Sequence, residues 1–236
     1  MSASATLVLS LREMRLILER LVQAAGTPPG LLAAVRECAL YSAALPGPGL
    51  AGFAERIAAL RASRPAPLRI LAEEPGLEVD CAGQHAWFAA HGLLDLAVER
   101  FRLTGQGSVV ARNLGSADEL RVAAGLAEGH GLHADVAPVE NGIGLTLQPR
   151  GAGLRTLLDA VREEGVLADP ALWWPLYHAS HEALAPDSFE SRRHAGTIRV
   201  EADGRIVGRN DEDETDLAML APDPSRLVPD PLSPAP

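Results

Sequence analysis

Apolar positions recur at helical spacing through the first 63 residues and then change rhythm. Leu11, Met14, Leu18, Leu21, Val22 and Ala25 form one stripe, and Ser10 with Glu13 makes a capping box ahead of it. Gly26 and Pro28-Pro29 end that helix. A second helix is expected from Thr27 as cap with Pro28 at its first position, carrying Leu31, Leu32, Val35, Ala39 and Ser42. Leu45-Pro46-Gly47-Pro48-Gly49 stops it. A third follows with Leu50, Phe53, Ala54, Ile57 and Leu60, ending before Arg64-Pro65. Short connections between three such helices predict an antiparallel helical layer.

Beyond residue 63 helices and strands alternate. Leu68 to Leu71, Leu77 to Val79 and Gly107 to Ala111 read as short strands, and residues 84–101 as a helix buried through Trp87, Phe88, Leu94, Ala97 and Phe101. Ser116 with Glu119 repeats the capping-box spacing and predicts a helix to about Gly129. Ile143, Leu145 and Leu147 alternate with Gly144, Thr146 and Gln148, the period of a half-buried strand. Leu154 to Glu164 returns to helical spacing, and Asp169-Pro170 opens another helix to about Leu184. Thr197 to Ala202 and Arg205 to Arg209 flank Asp203-Gly204, the pair preferred in a two-residue hairpin turn. That turn would set Val200 opposite Val207 and Arg199 opposite Gly208. The fold class is therefore α/β or α+β, an N-terminal three-helix layer followed by a mixed helix/strand domain with a C-terminal β-hairpin. The expected organisation is residues 1–63 for the helical layer, 64–220 for the mixed domain, and 221–236 as a disordered tail. Six prolines and few apolar groups from Pro222 onward motivate the last.

Composition narrows the chemistry. The chain has 236 residues and a net charge of -10, which argues against a nucleic-acid partner. All 21 basic residues are arginine, so mechanisms built on a lysine are excluded. Cys38 and Cys81 lie outside any zinc spacing and are expected as two buried thiols. With no apolar run of membrane-spanning length and no signal-peptide pattern, the expected location is cytoplasmic, with no membrane partner.

Two groups of residues offer chemistry. His178 and His181 stand one helical turn apart, a spacing at which two imidazoles share a face. No third-ligand motif accompanies them, so no metal and no cofactor are expected. The segment Ser188-Phe189-Glu190-Ser191-Arg192-Arg193-His194 sets two hydroxyls, two guanidiniums and an imidazole together in an acidic chain. Arginine's planar fork suits bidentate recognition of a carboxylate or phosphate. The competing reading pairs Arg192 and Arg193 with Glu190 or the acidic run Asp211 to Asp216. In the first reading Ser188, Ser191, Arg192 and Arg193 bind a small-molecule anion while His194, His178 and His181 supply acid/base chemistry.

The N-terminal stretch Ser10-Leu11-Arg12-Glu13, then Ala24-Ala25-Gly26-Thr27-Pro28-Pro29-Gly30-Leu31, resembles an uncharacterised bacterial family of about 220–240 residues, a domain of unknown function. That family's second mark is similar to Trp173/Trp174, Ala185-Pro186-Asp187-Ser188, Ser191-Arg192 and His194-Ala195-Gly196 here, with closing acidic residues near Asn210 and Asp211. Alanine stands where the family has valine, and the hairpin at 197–209 intervenes. The N-terminal layout also resembles the helical start of the malate/lactate dehydrogenases that are not Rossmann enzymes. Their His-Gly substrate motif is missing, so hydride chemistry does not carry over. The resemblance implies an architecture and a candidate segment, and no reaction. Two functions stay open: a protein that binds or acts on a small carboxylated metabolite, and a non-catalytic subunit that docks through its N-terminal helices, as a homo-oligomer or on a protein partner.

Overall fold

The computed structural model describes residues 6–73, 76–151 and 153–184, together with 199–200 and 206–207. It has one compact unit over Met1–Leu184 and a second over Ala185–Pro236. The expected mixed class of helices and strands is observed.

Strand β1 (Leu7–Leu9) leads into α1 (Leu11–Ala24), which starts at the expected capping box. The Glu13 amide donates to Ser10 Oγ, and the Ser10 amide donates to the Glu13 carboxylate. Met14, Ile17, Leu18, Leu21 and Val22 make its buried face. Thr27 does not cap the next helix. Its amide donates to Val22 O at 3.2 Å and that of Gly26 to Gln23 O at 2.9 Å, closing α1 in a Schellman motif around Gly26 at φ +86°. The chain then passes through a 3-10 turn at Pro29–Leu31 into α2 (Leu32–Ala44), and α3 (Phe53–Ala62) follows.

Five strands form the main sheet: β2 (Arg69–Ala72), β3 (Leu77–Asp80), β4 (Gly107–Arg112), β5 (Leu132–Val139) and β6 (Gly142–Pro149), in the order β2-β3-β4-β6-β5. Only β3 and β4 run parallel, joined by the long helix α4 (Ala86–Thr104); the other pairs in this sheet are antiparallel. Parallel neighbours need such a crossover. Leu77 and Val79, Val109 and Ala111, Leu145 and Leu147, and Leu132 and Ala134 face the core. On the opposite side Arg112 makes a two-pronged contact with Glu78. Helix α4 packs on β4 and β6 and against α2, burying Trp87, Leu93, Leu94 and four alanines. The close approach is built into the sequence: a Cβ at Gly107 would lie 2.8 Å from Ala97 O. Each large side chain buried here contributes on the order of 1.5–3 kcal/mol.

The helix expected from Ser116 is instead a 3-10 helix at Ala117–Val122 followed by α5 (Ala123–Glu128). Strand β5 pairs with β6 through a turn at Glu140-Asn141, with Asn141 at φ 58°. Helix α6 (Leu157–Glu164), strand β7 (Val166–Ala168) and α7 (Pro170–Ala179) complete the unit, with Asp169 capping α7 as expected. Strand β7 returns to pair antiparallel with β1. Among the described residues no helix is long and apolar enough to cross a membrane.

In the second unit β8 (Arg199–Val200) and β9 (Ile206–Val207) form the expected antiparallel pair, one position out of the expected register. Arg199 faces Val207 and Val200 faces Ile206.

Candidate functional site: a cleft at the carboxyl ends of the parallel strands

Past the ends of β3 and β4 the chain continues as two loops that remain bonded to each other. The amides of Cys81, Gly83 and Gly115 donate to Arg112 O, Asn113 O and Gln84 O at 2.7–2.9 Å, and that of Ala86 donates to Gly115 O at 2.9 Å. Three non-glycine residues in these loops take left-handed backbone: Ala82 (φ 52°), Asn113 (φ 50°) and Ser116 (φ 47°). Such conformations cost roughly 1–2 kcal/mol each for ordinary residues, less for asparagine. Asp80 holds the first two in place, accepting from the Ala82 amide at 2.9 Å and from Asn113 Nδ2 at 3.3 Å. Glycine is required at 115, where a Cβ would lie 2.8 Å from Gly83 O.

Between these loops and the end of α3 is a cleft of about 270 Å³, lined by Ala59, Ala62, Ser63, Gly83, His85, Gly115 and Ser116. His85 is only 1% exposed. It caps α4 with its side chain: the Trp87 amide donates to His85 Nδ1 at 3.1 Å. Ser63 Oγ accepts from the His85 amide at 2.8 Å. Nδ1 must therefore be the unprotonated nitrogen, which places the proton on Nε2. Nε2 is buried and has no hydrogen-bond partner among the described residues. Burial pushes the imidazole down to about 4, against the weaker opposing pull of Glu119 and Asp118. At neutral pH His85 is an uncharged donor.

Behind it Glu119, also 1% exposed, anchors a polar cluster. Trp87 Nε1 donates to its carboxylate at 3.0 Å and Arg121 Nη2 at 3.2 Å, while Arg56 Nε lies 3.8 Å away. Arg121 also donates to Ser42 O and Oγ, and Arg56 to Ala51 O. The Trp87 ring meets His85 edge-on at 5.0 Å, so the carboxylate fixes the indole that supports the imidazole. Cys81 is a buried free thiol whose ionisation burial pushes up to about 11, and Cys38 is also free and buried.

The residues expected from sequence lie elsewhere. Ser188, Ser191, Arg192, Arg193 and His194 fall outside the described residues. His178 closes α7 and His181 sits on the following 3-10 turn; both are exposed, with ring centroids 6.1 Å apart and the Tyr177 ring edge-on to each. Neither lines the cleft. Glu182 beside them pairs with Arg61 at 2.8 Å. His85 was not among the expected site residues. Its signal is the order strand, glycine, Gln-His, helix at residues 77–87, where a polar aromatic side chain takes the cap position between a parallel strand and its crossover helix.

No protein-family model matches this chain, and no curated protein matches it. Among solved structures, malate dehydrogenase from Entamoeba histolytica aligns at 15% identity and a TM-score of 0.46, covering 88% of this chain and 60% of its own. Malate dehydrogenase from Pyrococcus horikoshii OT3 aligns at 15% identity and a TM-score of 0.42, covering 76% of this chain and 66% of its own. The chain thus spans less than two thirds of the length of either, and likeness of this degree carries no argument about reaction or ligand.

Proposed function

We propose that this protein binds a small molecule in the cleft beyond β3 and β4, oriented by the His85 Nε2–H. The observation that carries the reading is the imidazole: buried, locked in one tautomer by the α4 cap, and left with an unpartnered donor. An unpaired buried donor costs about 1–3 kcal/mol, and the left-handed residues beside it add strain. Other buried polar atoms among the described residues, His91 Nε2 included, also lack a partner, but only at His85 does one coincide with three left-handed residues in a cleft wall and its loops, which supports a ligand there. The location agrees, since open α/β sheets seat ligands outside the carboxyl ends of their parallel strands.

The chemistry supported is orientation by hydrogen bonding. A general base needs a free lone pair facing its substrate; Nδ1 faces the Trp87 amide, and Nε2 holds the proton. Binding therefore comes ahead of acid/base catalysis for this cleft. The anion expected at Ser188, Ser191, Arg192 and Arg193 is a separate proposal, resting on local charge alone. A thermal-shift screen of small metabolites on the full chain tests both. Ligands of the cleft should stabilise the wild type and not His85→Asn, which keeps a capping acceptor but removes the distal N–H. Ligands of the arginine segment should lose their effect in Arg192→Ala and Arg193→Ala. A screen in which every stabilising compound acts equally on wild type and His85→Asn removes the cleft from consideration.

A further inference from the structure

We infer that the group seated against His85 is an uncharged oxygen, that of a carbonyl, amide or hydroxyl, and not a carboxylate or phosphate. The inference rests on the cleft being a ligand site and names what it selects. An anion buried beside an imidazole needs either a positive charge or several free amides, and this cleft offers neither. All of its lining side chains are uncharged, Ser63 and Ser116 adding only hydroxyls to the His85 donor.

The amides at the start of α4 and in the glycine loops, the groups that attract anions at such places, are already used, and among the described lining residues that of Ser116 alone has no partner. Those of Ala86, Trp87 and Phe88 donate to Gly115 O, His85 Nδ1 and His85 O. Those of Gly83 and Gly115 bond across the two loops. The charged groups acting on the imbedded imidazole are Glu119 and Asp118, both negative, which discourages a second anion. Arg56 and Arg121 gather around Glu119 and the carbonyls of Ala51 and Ser42, each with one buried N–H left unpartnered among the described residues, and neither lines the cleft.

A volume of about 270 Å³ sits just under the roughly 300–1,000 Å³ of drug-sized sites, so the occupant is a small fragment and not a dinucleotide. Nε2 has less than 1 Å² open to solvent, so the bond to an occupant's oxygen requires the cleft wall to move outward. That depth favours the uncharged group further, because desolvating a charge costs far more than desolvating a carbonyl.

The experiment uses the ¹⁵N-labelled full chain and follows the His85 imidazole resonances, assigned by their loss in His85→Asn. The probes are acetamide, N-methylacetamide, acetate and inorganic phosphate at matched concentrations up to the hundred-millimolar range. The amides should move the His85 Nε2 signal in a saturable way, while acetate and phosphate leave it in place. If acetate or phosphate moves it and the amides do not, the inference is overturned while the cleft remains a ligand site. If no probe moves it, both the inference and the small-molecule reading of the cleft fail. The titration is read on the wild type; should His85→Asn not fold, the imidazole that stays uncharged at pH 5 identifies His85 instead.

Discussion

Ser10-Glu13 and Ser116-Glu119 carry the same local signature and end in opposite arrangements. At the first, hydroxyl and carboxylate exchange hydrogen bonds with each other's amides, and α1 begins there on the surface. At the second, Ser116 takes left-handed backbone with no capping bond, and Glu119 turns inward to Trp87, Arg121 and Arg56. Magnitudes explain the choice. A cap is worth about 0.5–2 kcal/mol, whereas each hydrogen bond to a charged group contributes about 1.5–3 kcal/mol and Glu119 gathers two. The local rule yields where buried partners are already waiting. The consequence is functional: the carboxylate that abandons the cap fixes Trp87 behind His85, and Ser116 is left in the cleft wall.

The largest effect should come from Glu119→Ala, which strands two arginines and an indole N–H around an empty position. A loss of about 3–5 kcal/mol in urea unfolding is expected, against about 1 kcal/mol for Ser10→Ala. Equal losses at the two sites would end the contrast.

Acid should act next. The folded His85 titrates near 4, below its ordinary 6.5, so the unfolded chain takes up the proton first as pH falls. Stability from this group is complete above pH 6.5 and declines between pH 6.5 and 4, by up to about 3 kcal/mol. In His85→Asn the stability curve measured from pH 7 to 4.5 should be flatter; a slope equal to wild type would assign the loss to other groups. The smallest effect belongs to Ser116. Ser116→Gly should raise stability by about 1 kcal/mol by relieving the left-handed backbone, and Ser116→Ala should change it by less than about 0.5 kcal/mol. A loss of about 1 kcal/mol in Ser116→Ala, measured by the same unfolding assay, would mean that its hydroxyl caps after all.

Those contrasts also explain what the sequence made legible. Elements closed by local chemistry were readable: the α1 capping box, the Asp169-Pro170 start of α7, and the alternation in β6. Strands β1 and β7 were not, because three residues each, paired across more than 150 positions, leave no periodic pattern. Strand β5 does alternate, through Leu132, Ala134 and Val136, but small alanine and Pro138 mute the signal. Thr27 looked like a cap because a helix did follow; its amide was already claimed by the end of α1. The cleft was hidden for a different reason. Its components at 59–63, 83–85 and 115–116 come together through the parallel pairing of β3 with β4 and the bond from the His85 amide to Ser63 just past α3.

The most direct test of the account is the protonation state of His85 in the free protein, read from the ¹⁵N shifts of its two ring nitrogens between pH 8 and 5. The account predicts a single tautomer throughout, with Nε2 carrying the proton and Nδ1 bare. Averaged shifts from two tautomers, or an imidazolium already present at pH 6, would contradict it and leave the cleft without its fixed donor.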